Sequence, residues 1–245
     1  MERYKERIYN KNNIIKKDKI MELEKFITNT GRPLPVFLLL DCSGSMSGSK
    51  IKTLNNCVRE MIQDFKNERM SEVALKLCVI TFGGNGANLH TPLSGLKDID
   101  FVDLQASGMT PMGAALTMAS NIINDKEQVT SKGYRPVVVL VSDGYPNDSW
   151  EQPLNDFVNG KRTSKCERWA LGIGDGYDEQ MLQKFLGTNA DNKVFDASVA
   201  KEITKFFKFV TLSTIARSKS VDPNSIVNLD EIEAQFNEDN PTFNF

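Results

Sequence analysis

The chain has 245 residues, 40% of them hydrophobic and 25% charged, with a formal net charge of −2. That is enough apolar material for one full core, and one domain of about 190 residues with two extensions is the economical reading. The near-neutral balance excludes a global attraction to nucleic acid, the domain body shows no basic patch to replace it, and no apolar run reaches the roughly 18 residues a membrane-spanning helix needs.

Residues 1–32 form a charged extension that leans basic, with Arg3, Lys5, Arg7, Lys11, Lys16, Lys17, Lys19 and Lys25. Within it Ile20, Leu23, Phe26 and Ile27 are spaced for a short amphipathic helix, to be read as a solvated helix packed on the domain or as an arm that docks a partner. Residues 1–30 hold no apolar signal core, so a cytoplasmic location is expected. A continuous apolar run, Val36 to Leu40, then predicts a buried strand.

Directly after that strand stands Asp41-Cys42-Ser43-Gly44-Ser45, an acid and two hydroxyls at alternate positions. In a tight loop, residues spaced by two can turn their oxygens toward one point. Oxygen ligands of mixed charge suit a hard cation, Mg²⁺ or Mn²⁺ and less well Ca²⁺, rather than zinc, which prefers His and Cys. As turn formers beside Gly44 and Gly48 the serines would have a purely structural role. The next helix, Lys50 to Lys66, carries Ile51, Leu54, Val58, Met61, Ile62 and Phe65 on one stripe. A second strand, Leu75 to Phe82, runs into Gly83-Gly84-Asn85-Gly86, a tight-hairpin signal that makes Asn88 to Leu93 an antiparallel edge strand.

Gly108-Met109-Thr110-Pro111 precedes a helix expected from Pro111 to Val129, with Met112, Ala115, Leu116, Ala119, Ile122 and Ile123 inward. Thr110 before Pro111 also has the form of a helix N-cap followed by proline at the first helical position. The strand Val137 to Val141 leads into Ser142-Asp143-Gly144, and Asp148 reads as a turn or capping residue before Trp150. A weaker helix is expected over Glu151 to Asn159 and a strand over Trp169 to Ile173. Gly172-Ile173-Gly174-Asp175-Gly176 reads as the turn that ends this strand, since it lacks the glycine spacing of a dinucleotide loop. A short helix from Asp178 to Leu186 follows, and then a last one from Val199 to Ile215 with Ile203, Phe206, Phe207 and Val210 inward. The tail, residues 221–245, has no basic residue and gathers Asp222, Asp230, Glu231, Glu233, Glu238 and Asp239.

Alternating strands and helices predict an α/β fold: a doubly wound, mostly parallel sheet with one antiparallel edge strand and helices on both faces. Such sheets bind ligands at the carboxyl edge of their strands, where the three oxygen-bearing loops would lie. Cys42, Cys57, Cys78 and Cys166 show no Cys-x-x-Cys spacing and are expected as free thiols in a reducing compartment, with disulfide pairing as the alternative. The sole histidine, His90, falls in the edge-strand region, so no Ser-His-Asp or His-metal chemistry can be assembled around the loops.

Taken in order, Asp-x-Ser-x-Ser, Thr and Asp resemble the metal-ion-dependent adhesion site of von Willebrand factor type A domains. Leu34-Pro35-Val36-Phe37, the run Gly108 to Leu116, and Phe206-Phe207-Lys208-Phe209-Val210 running on to Ser218-Lys219-Ser220 are similar to the bacterial intracellular branch associated with tellurium resistance. The resemblance sets the domain at 33–220. It implies Asp41, Ser43, Ser45, Thr110 and Asp143 as metal ligands, the hydroxyls direct and the aspartates partly through water. It also implies an exchangeable position that an Asp or Glu carboxylate of a protein partner would fill. The expected role is a Mg²⁺-dependent cytosolic scaffold or adaptor without catalysis, its partners including a kinase and a phosphatase of one stress-response or defence locus. Two other readings stay open. One is a metal-dependent hydrolase or phosphotransferase with Asp41 as nucleophile, although the haloacid dehalogenase type needs a second acid where Ser43 stands. The other is a structural subunit of a larger assembly.

Overall fold

A computed structural model describes residues 32–67, 73–187 and 193–219. The helix expected around residues 20–27 and the acidic tail lie outside the described residues. In chain order the elements are β1 (Arg32–Asp41), α1 (Ser49–Asn67), β2 (Val73–Gly83), β3 (Gly86–Gly95), α2 (Met112–Asn124), β4 (Val137–Ser142), α3 (Glu151–Asn159), β5 (Glu167–Ile173), α4 (Glu179–Leu186), β6 (Phe195–Ala197) and α5 (Ala200–Lys219).

The six strands lie in the order β3-β2-β1-β4-β5-β6. All neighbours are parallel except β2 and β3, which form the antiparallel hairpin. The expected fold class is therefore the one observed. Strand β1 is central, and its side chains alternate between two cores. Leu34, Val36, Leu38 and Leu40 join the core under α1 and α5, whereas Phe37 and Leu39 join the core under α2, α3 and α4. Burial on both faces removes any polar alternation, which is why this strand reads as an unbroken apolar run.

The chain leaves β1 toward β2 on one side and returns to β4 on the other, so the order reverses between β1 and β4. Splayed loops leave a crevice at such a switch point. Register places Leu40 opposite Val141 there, and the next residues on each strand, Asp41 and Ser142, open the two loops.

Several elements depart from expectation, beginning with β1, which starts at Arg32 and not at Val36. Helix α2 stops at Asn124 because Asp125 is extended and its carboxylate accepts the backbone N–H of Glu127, a local bond that competes with helical continuation. Val129 remains buried, so its apolar signal was core packing in a turn and not helix. Helix α5 starts at Ala200, where Glu202 accepts the N–H groups of Ser198 and Val199, and it runs on to Lys219. Strand β6 has three residues, too few to form a readable pattern. Among the described residues no helix is long and apolar enough to cross a membrane.

Candidate metal centre

Asp41 ends β1 with its side chain fully enclosed at 0% exposure. One carboxylate oxygen accepts the backbone N–H of Ser43 at 2.8 Å and the other accepts the Ser142 hydroxyl at 2.6 Å. Burial pushes the Asp41 carboxyl above its ordinary value, and the nearby Asp143 adds to that, while the bonds from Ser142 and Ser43 pull it back in part. An adjacent cation would relieve both causes of the upward shift.

The 3-10 turn Gly44–Met46 then brings Ser45 back over the strand end. The Ser43 and Ser45 hydroxyls lie 3.0 Å apart, and Ser45 donates to Asp143 Oδ1 at 2.6 Å. Asp143 Oδ2 accepts Lys50 Nζ at 2.5 Å, from the first turn of α1. Thr110 arrives from the other side. A Cβ placed on Gly144 would stand 3.8 Å from Thr110 Oγ1 and 4.0 Å from Ser45 Oγ, so those two hydroxyls face the same small volume. The five residues singled out by sequence are thus brought together at the switch point, on three separate loops.

Backbone bonds fix these loops to one another. Gly44 N–H donates to Gly108 O at 3.0 Å, Ser107 N–H to Cys42 O at 2.8 Å, and Met109 N–H to Gly84 O at 3.1 Å. Gly108 has φ +66°, and a Cβ there would meet Gly84 Cα at 2.5 Å. Glycine is required at that crossing on both counts.

Farther along the Asp143 loop, Asn147 and Asp148 make bonds across to the Thr110 loop and α2 that local sequence does not reveal. Asn147 Oδ1 accepts the N–H of Thr110 at 3.1 Å, and Asn147 N–H donates to Thr110 O at 3.2 Å. The Asp148 carboxylate accepts Gly113 N–H at 3.0 Å and Ala114 N–H at 2.9 Å, capping α2 from across the loops. Two expectations are corrected here. Thr110 is not the N-cap, because Pro111 flanks the helix and no side chain of that segment caps it. Asp148 caps α2 and not the helix after Trp150, whose own N-cap position has no side-chain bond. Asp148→Ala is expected to cost about 1–2 kcal/mol, as for loss of a strong cap. Urea denaturation would read this as a lower midpoint at unchanged slope.

Among the described residues no group of three or more His, Cys, Asp and Glu could hold a metal. The donor set is instead two carboxylates and three hydroxyls. This fits a six-coordinate hard cation that retains water, and the buried, upshifted Asp41 has the surroundings such an ion would satisfy. Asp41, Ser43, Ser45, Thr110 and Asp143 would hold it.

A six-stranded α/β sheet with an acid-and-hydroxyl cluster at its switch point is an open α/β domain with its ligand site at the carboxyl edge of the strands. The family model of the von Willebrand factor type A domain matches residues 36–209, and the chain belongs to that family. Domains of this family commonly serve in protein interaction and adhesion, and often bind a divalent metal. Inter-alpha-trypsin inhibitor heavy chain H3 from Bos taurus is 23% identical over 156 residues, covering 62% of this chain and 18% of that protein. Heavy chain H4 from Bos taurus is 24% identical, covering 60% and 16%. The chain therefore spans less than a fifth of these relatives.

Among solved structures, the von Willebrand factor type A protein from Catenulispora acidiphila matches with a TM-score of 0.59 at 17% identity, over 76% of this chain and 43% of that one. Proximal thread matrix protein 1 from the mussel byssus, with a zinc-occupied MIDAS motif, matches at 0.58 and 20%, over 76% and 46%. The pilus adhesin SpaC from Lactobacillus rhamnosus GG, in an open conformation, matches at 0.61 and 18%, over 76% and 30%. At these identities the likeness is one of fold.

Proposed function

We propose that this chain is a divalent-cation-dependent protein-binding module, with Mg²⁺ or Mn²⁺ as the resident ion and an Asp or Glu side chain of a partner protein as its ligand. The observation that carries the reading is the convergence of Asp41, Ser43, Ser45, Thr110 and Asp143 at the sheet's switch point. When bound, the ion supplies a Lewis-acidic position open to an outside oxygen. The residues do the rest. Asp41 and Asp143 set the negative potential, the three hydroxyls add dipoles without further charge, and the knitted loops hold both at fixed spacing.

Asp41, Asp143, the Lys50 ammonium bonded to Asp143 and a divalent ion together carry one net positive charge, which a partner carboxylate neutralises. The sequence likeness to the tellurium-resistance branch further supports a cytosolic scaffold in a stress-response or defence system, with a kinase and a phosphatase among its partners. Four buried thiols without a disulfide are in keeping with a reducing compartment.

Binding without catalysis is the reading the side chains favour. Cys42, the thiol beside the site, is buried, and burial pushes it up to about 12, which disfavours the thiolate. Asp41 is enclosed and already bonded through both oxygens. His90, on the edge strand, is hydrogen-bonded to Val102 O in the loop that follows, with its ring against Phe101.

The test is capture from native lysate on the immobilised full chain. Partners are expected to bind in Mg²⁺, elute with EDTA and return on adding Mg²⁺ or Mn²⁺, and Thr110→Ala is expected to lose them. Retention of the same proteins in EDTA would overturn the reading.

A further inference from the structure

We infer that the partner presents its carboxylate beside a large apolar side chain, which is received by Met109 and Tyr145 at the rim of the metal centre. This rests on the metal-dependent reading above and names the chemistry of its ligand. Among the described residues five large hydrophobic side chains stand well exposed, and two of them flank the centre: Met109 at 57% and Tyr145 at 65%. Met109 immediately precedes Thr110, and Tyr145 follows Asp143 by two residues.

Neither side chain belongs to either apolar core. Three residues beyond Met109, Met112 is fully buried in the core, whereas Met109 turns outward. Backbone bonds nonetheless anchor Met109 itself and Asn147, two residues beyond Tyr145. Met109 N–H is bonded to Gly84 O, and the paired bonds between Thr110 and Asn147 tie the two loops together. An apolar rim is thereby kept in fixed relation to the hydroxyls and carboxylates instead of riding on a loose loop.

The residue types suit reception of a varied apolar group. Methionine is unbranched and polarisable and repacks readily, and tyrosine offers a rigid ring whose hydroxyl stays in water. Both are enriched at protein interfaces. Charge at the mouth is mixed: residues 42–48, 106–111 and 144–147 contain no acid, whereas the exposed Asp175 lies between Gly174 and Gly176, which stand against Lys50 and Asp143. Lys50, with its side chain 35% exposed, adds one positive group there.

The experiment is a displayed library of short random peptides with a fixed central Glu, selected on the full chain in Mg²⁺ and eluted with EDTA. The positions beside Glu are expected to be enriched in Leu, Ile, Met, Phe or Trp. A selected peptide is expected to bind the double variant Met109→Ser, Tyr145→Ser about tenfold or more weakly, in line with loss of interface anchors. Mn²⁺ affinity without peptide should be the same in both proteins. Polar residues beside Glu in the EDTA-eluted peptides, or equal affinity for the double variant, would overturn the inference and leave the metal reading standing. Absence of any EDTA-eluted peptide would overturn the metal reading, and the inference with it.

Discussion

Asp143→Ala is expected to abolish measurable Mg²⁺ binding while leaving a folded protein. Asp143 lies on a loop at the strand edge and not in either apolar core. Its two oxygens serve Ser45 and Lys50, and both of those reach solvent, so removing the carboxylate leaves no buried donor stranded. The metal, by contrast, would lose half of the formal negative charge offered by the cluster. Heat denaturation makes the contrast large. A ligand at a hundred times its dissociation constant stabilises the folded state by about 2.7 kcal/mol. For a domain of about 190 residues this raises the midpoint by roughly 5–10 °C. Wild type should show that shift on adding Mg²⁺ and the variant should show none. An equal shift in the variant would remove Asp143 from the centre.

What could be read in the sequence, and what could not, follows from the range of the interactions. Strand β1 and helix α1 were legible because each is specified by its own side chains: a strand buried on both faces, and a helix with one apolar stripe. The five candidate ligands could be found because each sits at or just beyond the end of a legible element, and loops at the carboxyl edge of a parallel sheet meet at the switch point. Helix α2 was drawn too long because Val129 is apolar for tertiary reasons, and a local Asx bond at Asp125 had already ended the helix.

Cross-loop partners were invisible. Asp148 caps a helix that begins 36 residues earlier in the chain, and no local pattern distinguishes it from an acid that caps its own helix. Asn147 is equally silent in sequence, although its bonds fix the backbone of Thr110. In sequence Lys50 marks only the start of a helix. Its role as the partner of Asp143, 93 residues away, appears only once the loops are assembled.

Lys50→Met is expected to tighten the binding of a divalent ion and to weaken the binding of a carboxylate to the loaded centre. In the structure Lys50 Nζ occupies Asp143 Oδ2 at 2.5 Å, with Asp143's side chain wholly buried and that of Lys50 35% exposed. Any ion drawn to Asp143 meets this ammonium as a competitor and as a like charge. Unit charges about 4 Å apart at an effective dielectric near 20 interact by about 4 kcal/mol, and exposure of the lysine reduces what survives. A remainder of about 1.4 kcal/mol corresponds to about tenfold tighter Mn²⁺ binding in the variant. The second effect has the opposite sign. With two carboxylates, one ammonium and a divalent ion, the loaded wild-type centre carries one net positive charge, which a partner carboxylate neutralises. Without Lys50 the loaded centre is neutral, and a carboxylate would make it negative. Calorimetric titration with Mn²⁺, repeated in acetate as the simplest carboxylate, separates the two effects. Methionine keeps the length of the aliphatic stem, so packing at the start of α1 is largely preserved. The expected result is tighter Mn²⁺ binding with a smaller gain from acetate than in wild type. Weaker Mn²⁺ binding in the variant would mean that Lys50 supports the geometry of the centre and does not compete for it.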